Sequence, residues 1–307
     1  MMKEKTFIIT GGNSGLGYQC AKNIALENDS NHVIIASRNE AKSAGAARKL
    51  VEETNNPHIR AFSLNLASLA SIRDFCQAFA DTPFPPLYGL VCNAIAGSHG
   101  KNEYTEDGFE MTFGVGHLGH FLLANILLTR MPDSGRIVFV SSDQHNPARW
   151  MYRISYTDAL DLAFPKEYRH IKSYSGVKLC NIYCACEMAK RISAETSKNI
   201  SVNAFNPAFM ADTGLGKANS FAERMAKAIA PVLARMMGLH SSAGKSGKLL
   251  ASLMTGEKYA GITGKYFDRD RECPSSELSC NTANAENLWK RSIELVGLQQ
   301  NETLFTL

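Results

Sequence analysis

The amino-acid sequence predicts an α/β fold: a single Rossmann-type domain, residues 1–307, with one doubly wound parallel sheet and helices on both faces. Short apolar runs alternate with helix-like stretches from one end of the chain to the other. These runs are nearly continuous, which is typical of strands covered on both faces. No break in composition and no internal repeat divides the chain. The regular alternation therefore predicts βαβ units within one open sheet.

The strands are predicted where short runs are apolar and rich in β-branched residues, as in TFIIT, HVIIAS, RIVFVS and ISVNAFN. Such residues fit a pleated, buried surface. In chain order the predicted strands are Thr6–Thr10, His32–Ser37, Ile59–Leu64, Gly89–Asn93, Arg136–Ser141 and Ile200–Asn206.

Helical patterns fill the intervals between these strands, at about 17–28, 40–54, 69–80, 107–130 and 173–197. Two segments interrupt the rhythm, one at about 143–172 and one at about 209–241. Both follow predicted strand ends, and ligands of open α/β sheets bind outside the carboxyl ends of the strands. We therefore expect both insertions to line a ligand crevice.

Composition and charge exclude several classes of protein. The chain is 45% hydrophobic and 20% charged, which is ordinary for a globular protein and unlike a disordered chain, a collagen or a coiled coil. A formal net charge of +4 is too small to indicate nucleic-acid binding. The longest apolar stretch, Phe121–Leu128, is shorter than the roughly 20 residues of a membrane span.

The cysteines and the N-terminus favour a cytoplasmic protein. The eight cysteines are sparse and include no CxxC pair, so we interpret them as reduced thiols and predict no metal site. The first ten residues carry Lys3, Glu4 and Lys5 before a short apolar run, without the features of a secretory signal.

A glycine-rich turn follows the first predicted strand and leads into the first helix. Glycine permits a tight turn and lets the backbone approach a pyrophosphate, and a helix N-terminus adds amide donors and a positive dipole. The strand–turn–helix context makes this motif far more specific than glycine spacing alone. The residues expected to bind a dinucleotide phosphate here are Gly11, Asn13, Ser14, Gly15, Leu16 and Gly17.

The end of the second strand indicates which dinucleotide binds. An NAD site usually places an acidic residue there to hold the ribose 2′-hydroxyl. This chain has Ser37 followed by Arg38, and a hydroxyl beside a guanidinium suits a 2′-phosphate. The sequence thus predicts NADP(H) rather than NAD(H).

The spacing Gly11-xxx-Gly15-x-Gly17, together with Tyr174-Ser175-Gly176-Val177-Lys178, resembles the short-chain dehydrogenase/reductase family. The resemblance runs from about Thr6 to Leu298. The family's other landmarks stand in register as Asn93-Ala94, Ser141-Ser142 and Asn206-Pro207.

A finer resemblance is to the retinol dehydrogenase and light-dependent protochlorophyllide reductase branches. The segments that carry it are Gly116–Leu123, Lys178–Asn181, Thr213–Leu215 and the tail from Ser242 to Leu298.

The resemblance implies roles for three side chains. Tyr174 would exchange a proton with the substrate oxygen, and Lys178 would favour the ionised tyrosine and bind the nicotinamide ribose. Ser142 would hydrogen-bond the substrate carbonyl, with Ser141 as the alternative if the register is displaced by one residue. The resemblance also implies cofactor contacts from Tyr174 and Lys178 and from Asn65, Leu66, Asn93, Ala94, Pro207, Phe209 and Thr213.

Four positions depart from the family's pattern. Gly116 stands where most members have an asparagine that helps to hold a water of the proton relay. Asn65 replaces an aspartate near the adenine, and Ile95 replaces a glycine beside the cofactor. Phe209 stands where protochlorophyllide reductase has a cysteine important to its reaction, which argues against that substrate. His117 and His120 lie near Gly116, and we interpret them as core or capping residues.

The substrate side contains an amphipathic stretch, Phe221–Leu239, broken by Pro231. It suits the wall of an apolar pocket, a core-facing helix, or a lid or membrane-surface helix. Trp150, Met151 and Tyr152 are candidates for the opposite wall.

The predicted function is NADP(H)-dependent interconversion of a carbonyl and an alcohol on a bulky lipophilic small molecule. The alternatives are reduction of an activated carbon–carbon double bond, or cofactor binding with weak redox activity. The chain is expected to be a monomer or a homo-oligomer without a transmembrane segment, and peripheral membrane contact is compatible with its sequence.

Overall fold

The computed structural model describes residues 4–96, 103–148, 154–167, 169–210 and 240–307. Its centre is an eight-stranded sheet in the order β10-β9-β6-β5-β4-β1-β2-β3. The strands are β1 Lys5–Thr10, β2 Asn31–Ser37, β3 Ile59–Ser63, β4 Leu87–Cys92, β5 Arg136–Val140, β6 Ser201–Asn206, β9 Tyr266–Asp268 and β10 Arg271–Glu272. A separate two-stranded pair is formed by β7 Phe209–Met210 and β8 His240–Ser241.

The strand order confirms the predicted doubly wound sheet. β1 pairs in parallel with both β2 and β4, so the order reverses beside β1 and opens a crevice at the carboxyl ends of these strands. Only the β10 edge is antiparallel among the described pairs of this sheet. The sequence did not predict β9 because its apolar run, Tyr266–Phe267, is only two residues long.

The helices lie close to the predicted positions, with additions after β6. They are α1 Gly15–Glu27, α2 Glu40–Thr54, α3 Leu69–Asp81, α4 Met111–Phe113, α5 Gly119–Leu128, α6 Ala159–Ala163, α7 His170–Glu195, α8 Ala243–Thr255 and α9 Thr282–Val296. A π-helical turn, Gly114–Leu118, joins α4 to α5. The stretch predicted as one helix over 107–130 therefore has a wider turn in its middle.

Two apolar clusters cover the two faces of the sheet. One contains the buried side chains of α3, α5 and α7, and the other contains those of α1 and α8. Among the described residues, Met111–Leu128 is the stretch long and apolar enough to cross a membrane, and 89% of it is buried inside the fold. It therefore serves here as the core helix of the first face.

The C-terminal part of the chain returns to cover earlier elements. α8 packs against α1, and a Cβ atom added to Gly247 would collide with Gln19 and Cys20. The tail beyond α9 reaches α3, where Arg73 donates to both carboxylate oxygens of Glu302, at 2.5 and 3.0 Å. Residues from the end of the chain thus support helices that follow the first strands.

Candidate active site

The glycine turn after β1 is shaped by close backbone contacts. Gly11 has φ +64° and Gly15 has φ +54°, a region that glycine enters without strain. A Cβ atom on Gly17 would lie 2.5 Å from the Gly11 carbonyl oxygen and 2.7 Å from Asn93 Nδ2. The side chain of Ser14 makes no capping hydrogen bond to the first turn of α1. The N-terminus of α1 therefore faces the crevice with amide donors that this side chain does not satisfy.

A buried hydrogen-bond network joins this turn to the core helix. The imidazole Nε2 of His120 lies 2.8 Å from Thr10 Oγ1, and its Nδ1 lies 3.2 Å from the Gly116 carbonyl oxygen. A carbonyl only accepts, so Nδ1 carries the proton and Nε2 accepts from the threonine hydroxyl. Burial, together with the nearby Lys178 ammonium, lowers the pKa of His120 to about 4, which keeps the ring neutral.

The threonine of this network also orders the residues after β4. Thr10 Oγ1 accepts from the backbone amides of Asn93 and Ala94, at 2.8 and 3.0 Å. The side-chain amide of Asn93 donates to the Thr10 carbonyl oxygen at 2.8 Å. The two sequence-predicted residues after β4 are thus fastened directly to the end of β1.

The end of β2 presents a cation at the surface. Ser43 Oγ donates to the Asn39 carbonyl oxygen, so Ser37 Oγ, 2.5 Å away, donates to Ser43. The Ser37 proton is therefore committed within the chain. Arg38 is exposed, and its guanidinium makes no hydrogen bond or ion pair within the part of the chain that the structure describes.

Asn65 and Leu66 lie in the turn after β3. Asn65 Oδ1 accepts from the Ala67 amide at 3.2 Å, and its Nδ2 donates to Glu106 at 2.8 Å. The Leu66 side chain is buried, and its carbonyl oxygen lies against Gly119 of α5. The Asn65 side chain is thus engaged with the protein, and one proton of Nδ2 is left for a further acceptor.

The two serines after β5 point in different directions, which bears on the register left open by the sequence. Ser141 is buried and its hydroxyl donates to the Lys178 carbonyl oxygen at 2.7 Å. Ser142 is half-buried, and its Oγ accepts from the Gln144 amide at 3.3 Å and donates to an Asp143 carboxylate oxygen at 3.2 Å. Ser142 is therefore the serine whose hydroxyl lies at the carboxyl edge of the sheet.

Helix α7 brings Tyr174 and Lys178 together on one face. The Lys178 Nζ lies 5.3 Å from the centroid of the Tyr174 ring, as expected of residues four apart on a helix. Lys178 is buried and donates to the Val140 carbonyl oxygen at 2.9 Å. Burial lowers the pKa of this ammonium to about 8. Asn181 donates to the same carbonyl at 3.0 Å.

The space beside Gly116 is filled by hydrocarbon. A Cβ atom at Gly116 would lie 2.7 Å from Val177 Cγ1 and 3.6 Å from Ile95 Cδ1. Two of the departures from the family's pattern, Gly116 and Ile95, are therefore neighbours. An asparagine at position 116 would collide with Val177, so the glycine is matched to its surroundings.

The end of β6 lies on the far side of the crevice. The Pro207 carbonyl oxygen accepts from Ser246 Oγ at 2.6 Å, which ties this loop to α8. Ala208 has φ +65°, and Phe209 is 39% exposed. Thr213, the wall residues Trp150, Met151 and Tyr152, and the stretch Phe221–Leu239 lie outside the described residues.

The sequence did not identify a cavity of about 140 Å³ beside Asp143 and His145. It is lined by residues at or after the carboxyl ends of β5, β6 and β9, among them His145, Asn206 and Asp268. The unpredicted strand β9 and the residues that follow it supply much of this wall, so no local signal marked it. Within the described ranges, no group of three His, Cys, Asp or Glu side chains is arranged to hold a metal ion.

Comparison with known proteins identifies related chains. A family model described as short chain dehydrogenase matches residues 5–157. A WW domain-containing oxidoreductase of Danio rerio is 33% identical over 299 residues, covering 96% of this chain and 69% of that protein. Retinol dehydrogenase 13 of Mus musculus is 33% identical over 314 residues, covering 96% of this chain and 84% of that protein.

A solved structure confirms the fold. L-sorbose reductase from Gluconobacter frateurii, complexed with NADPH and L-sorbose, has a TM-score of 0.65 at 19% identity. The match covers 90% of this chain and 97% of that one. At this level of identity the likeness concerns the arrangement of the sheet and helices alone.

Proposed function

Because the chain belongs to the short-chain dehydrogenase family, we propose that it is an NADP(H)-dependent oxidoreductase that interconverts a carbonyl and an alcohol on a lipophilic molecule. The observation that carries the proposal is the placement of Ser142, Tyr174 and Lys178. Ser142 follows β5 at the carboxyl edge of the sheet, and the neighbouring Ser141 binds the Lys178 carbonyl oxygen of α7. On that helix the Lys178 ammonium lies 5.3 Å from the centroid of the Tyr174 ring. The related retinol dehydrogenase is named for such an alcohol.

The glycine turn fits a dinucleotide. The Cβ positions of Gly11 and Gly17 fall within 3.2 Å of neighbouring protein atoms, so glycine lets the turn pack tightly against the end of β4. A tight glycine turn before a helix is the form of backbone that binds a pyrophosphate in dinucleotide folds. The first-turn amides of α1 bind the phosphates, and Arg38 pairs with a 2′-phosphate. The NADPH named for the sorbose reductase structure supports this choice of cofactor. When bound, the nicotinamide supplies or accepts hydride at the substrate carbon.

The chain's own residues handle the proton. Tyr174 exchanges a proton with the substrate oxygen, and the Ser142 hydroxyl donates a hydrogen bond to that oxygen. The Lys178 ammonium stabilises negative charge that develops on the tyrosine oxygen, because the buried site has a low effective dielectric. The Val140 carbonyl oxygen holds the ammonium at the floor of the crevice.

Exposed apolar side chains in the segments after β4, β5 and β6 support a lipophilic substrate. Five of the seven large hydrophobic side chains that are exposed in the described ranges lie in these segments: Tyr104, Leu160, Phe164, Ile171 and Phe209. Ile171 lies one helical turn before Tyr174, and α6 packs on α7 through Leu162, whose Cδ2 lies 3.0 Å from the Cβ position of Gly176. Segments that follow the carboxyl ends of the strands are where ligands of open α/β sheets bind.

The test is turnover by the Tyr174→Phe variant. We expect kcat for a lipophilic aldehyde such as retinal to fall by about 10³-fold, since general acid–base catalysis contributes on the order of 10²–10⁴-fold. The Kd for NADPH, measured by nicotinamide fluorescence, should stay within about threefold of the wild-type value. Tyr88→Phe is the matched control, because Tyr88 lies at the amino end of β4, away from the carboxyl ends of the strands.

Three results would overturn the proposal. Full activity of Tyr174→Phe would remove the proton donor assigned here. NADPH binding without turnover on a broad panel of carbonyls and alcohols would favour a cofactor-binding protein. Deuterium from labelled NADPH at an alkene carbon of the product, rather than at the carbinol carbon, would assign the enzyme to carbon–carbon double-bond reduction.

A further inference from the structure

His145 links the neighbouring Ser142 to Ser276, which lies 131 residues further along the chain. Its Nδ1 lies 2.6 Å from the Ser142 carbonyl oxygen, and its Nε2 lies 3.1 Å from the backbone amide of Ser276. A carbonyl oxygen only accepts and a backbone amide only donates. The proton therefore sits on Nδ1, and the ring is a neutral donor to Ser142 and an acceptor from Ser276.

The surroundings hold the ring in this orientation. His145 is 3% exposed, and its ring packs against Tyr266 of β9 with centroids 5.1 Å apart. The backbone amide of His145 also donates to the Ser142 carbonyl oxygen, at 3.2 Å. Two donors of one residue thus converge on the backbone of Ser142, whose side chain lies at the crevice.

The partner of His145 at the other end is itself anchored to α7. The segment Cys273–Cys280 contains Ser276, and its Leu278 carbonyl oxygen accepts from Tyr183 Oη at 2.6 Å. Asn284 of α9 donates to the same tyrosine oxygen at 3.1 Å. Tyr183 and Tyr174 both belong to α7. The segment Cys273–Cys280 therefore binds both His145, which contacts Ser142, and the helix that carries Tyr174.

We propose that His145 is a positioning residue for Ser142 and that the segment Cys273–Cys280 is the outer support of the active site. The inference rests on the proposed function of Ser142 as the donor to the substrate oxygen. Through the imidazole, the distance between the Ser142 hydroxyl and the Tyr174 hydroxyl is set by the C-terminal part of the chain. A displacement of about 1 Å at such a site costs on the order of 10²-fold in rate.

Two amide variants separate the two hydrogen bonds. In His145→Asn, the amide Nδ2 occupies the place of Nδ1 and keeps the donor to Ser142, while the link to Ser276 is lost. In His145→Gln, Oε1 takes the place of Nε2 and keeps the acceptor for Ser276, while the donor is lost. We expect kcat to fall by about 30-fold or more in His145→Ala and His145→Gln and by less than fivefold in His145→Asn. KM and NADPH affinity should stay within about threefold of the wild type, because uniform binding is not altered.

A purely structural role predicts a different pattern. Equal kcat values for His145→Asn and His145→Gln, or an unchanged kcat in His145→Ala, would overturn the assignment. His58→Ala is the control for removing a histidine, since His58 precedes β3 at the amino edge of the sheet. Its kcat should match that of the wild type.

Nitrogen-15 NMR of the wild-type histidines gives a readout that does not depend on turnover. We expect a protonated Nδ1 and an unprotonated Nε2 for His145, and a Ser276 amide that exchanges faster in His145→Ala. The opposite tautomer would overturn the inference even if Tyr174→Phe is inactive. Conversely, an active Tyr174→Phe protein with the expected tautomer would reject the proposed function and leave the contacts of His145 in place.

Discussion

The glycine turn after β1 and the π-helical turn before α5 are two glycine-containing segments at the same crevice, yet different neighbours require glycine at each. At Gly17 the nearest atom to an added Cβ is the Gly11 carbonyl oxygen, at 2.5 Å. At Gly116 it is a methyl of Val177, at 2.7 Å. The first constraint lies in the backbone and cannot be relieved by another side chain. The second is a match between two side-chain sites, which a second substitution can alter.

The largest effect is expected at the glycine turn. Gly17→Ala should lower the free energy of unfolding by about 3 kcal/mol or more and abolish NADPH binding, because neither β1 nor α1 can move away from the added methyl. Chemical denaturation and NADPH titration measure the two effects. Gly45→Ala is the matched control, because Gly45 lies within α2 with nothing within 4 Å of its Cβ position. This substitution should raise the free energy of unfolding by about 0.5–1 kcal/mol. A Gly17→Ala protein with normal NADPH affinity would contradict the backbone constraint.

An intermediate effect is expected at the π turn. Gly116→Ala should cost about 1–3 kcal/mol through overpacking against Val177, although alanine ordinarily favours a helix. In a Val177→Ala background the same change should be less costly by about 1 kcal/mol or more. A double-mutant cycle from urea denaturation measures this coupling. Additive costs would mean that Val177 is not the neighbour that selects glycine.

An effect of similar size and opposite sign is expected at Lys178. Burial lowers its pKa from 10.5 to about 8, so at pH 7 the folded state holds a charge that the unfolded state solvates better. Lys178→Met should therefore raise the free energy of unfolding at pH 7 by on the order of 2 kcal/mol while removing activity. The Val140 carbonyl keeps its hydrogen bond from Asn181. This increase in the free energy of unfolding should be full below pH 8. It should disappear between pH 8 and 10.5, because wild-type Lys178 loses its proton in the folded state before it does so in the unfolded state. Denaturation across this range checks it, and a pH-independent difference would exclude the buried charge as its cause.

The smallest effect is expected at the surface beside the glycine turn. Arg38→Ala should weaken NADPH binding by about tenfold and leave NADH binding unchanged, because a charge-assisted hydrogen bond to phosphate contributes about 1.5–3 kcal/mol before solvent screening. Arg48→Ala, an exposed arginine within α2, is the control. The ratio of the two dissociation constants, measured by fluorescence titration, is the readout. Equal losses for both cofactors would place the 2′-phosphate elsewhere.

The parts of the molecule that the sequence predicted are those with local signals. The strands from β1 to β6 are apolar runs, and the glycine turn has its strand–turn–helix context, so both could be placed from neighbouring residues alone. The cytoplasmic location and the oligomeric state depend on partners outside the chain and stay predictions.

The missed parts depend on contacts between distant residues. β9 is too short to show a period, and its pairing with β6 places it. The match of Gly116 to Val177 joins two helices, and His145 joins β5 to the segment before α9. Neither partner is marked in its own stretch of sequence, because the constraint arises only when the fold brings them together.

The cover that α8 and the tail provide has a consequence for biosynthesis. A ribosome releases β1 and α1 well before the Gly247 surface that packs against α1. Glu302, the partner of Arg73, is made later still. During translation the outer face of α1 is therefore apolar and uncovered, and it is available to chaperones and proteases until α8 emerges. A premature stop codon after α7 would leave a nascent protein that contains the proposed catalytic residues but lacks the surface that encloses the first helix.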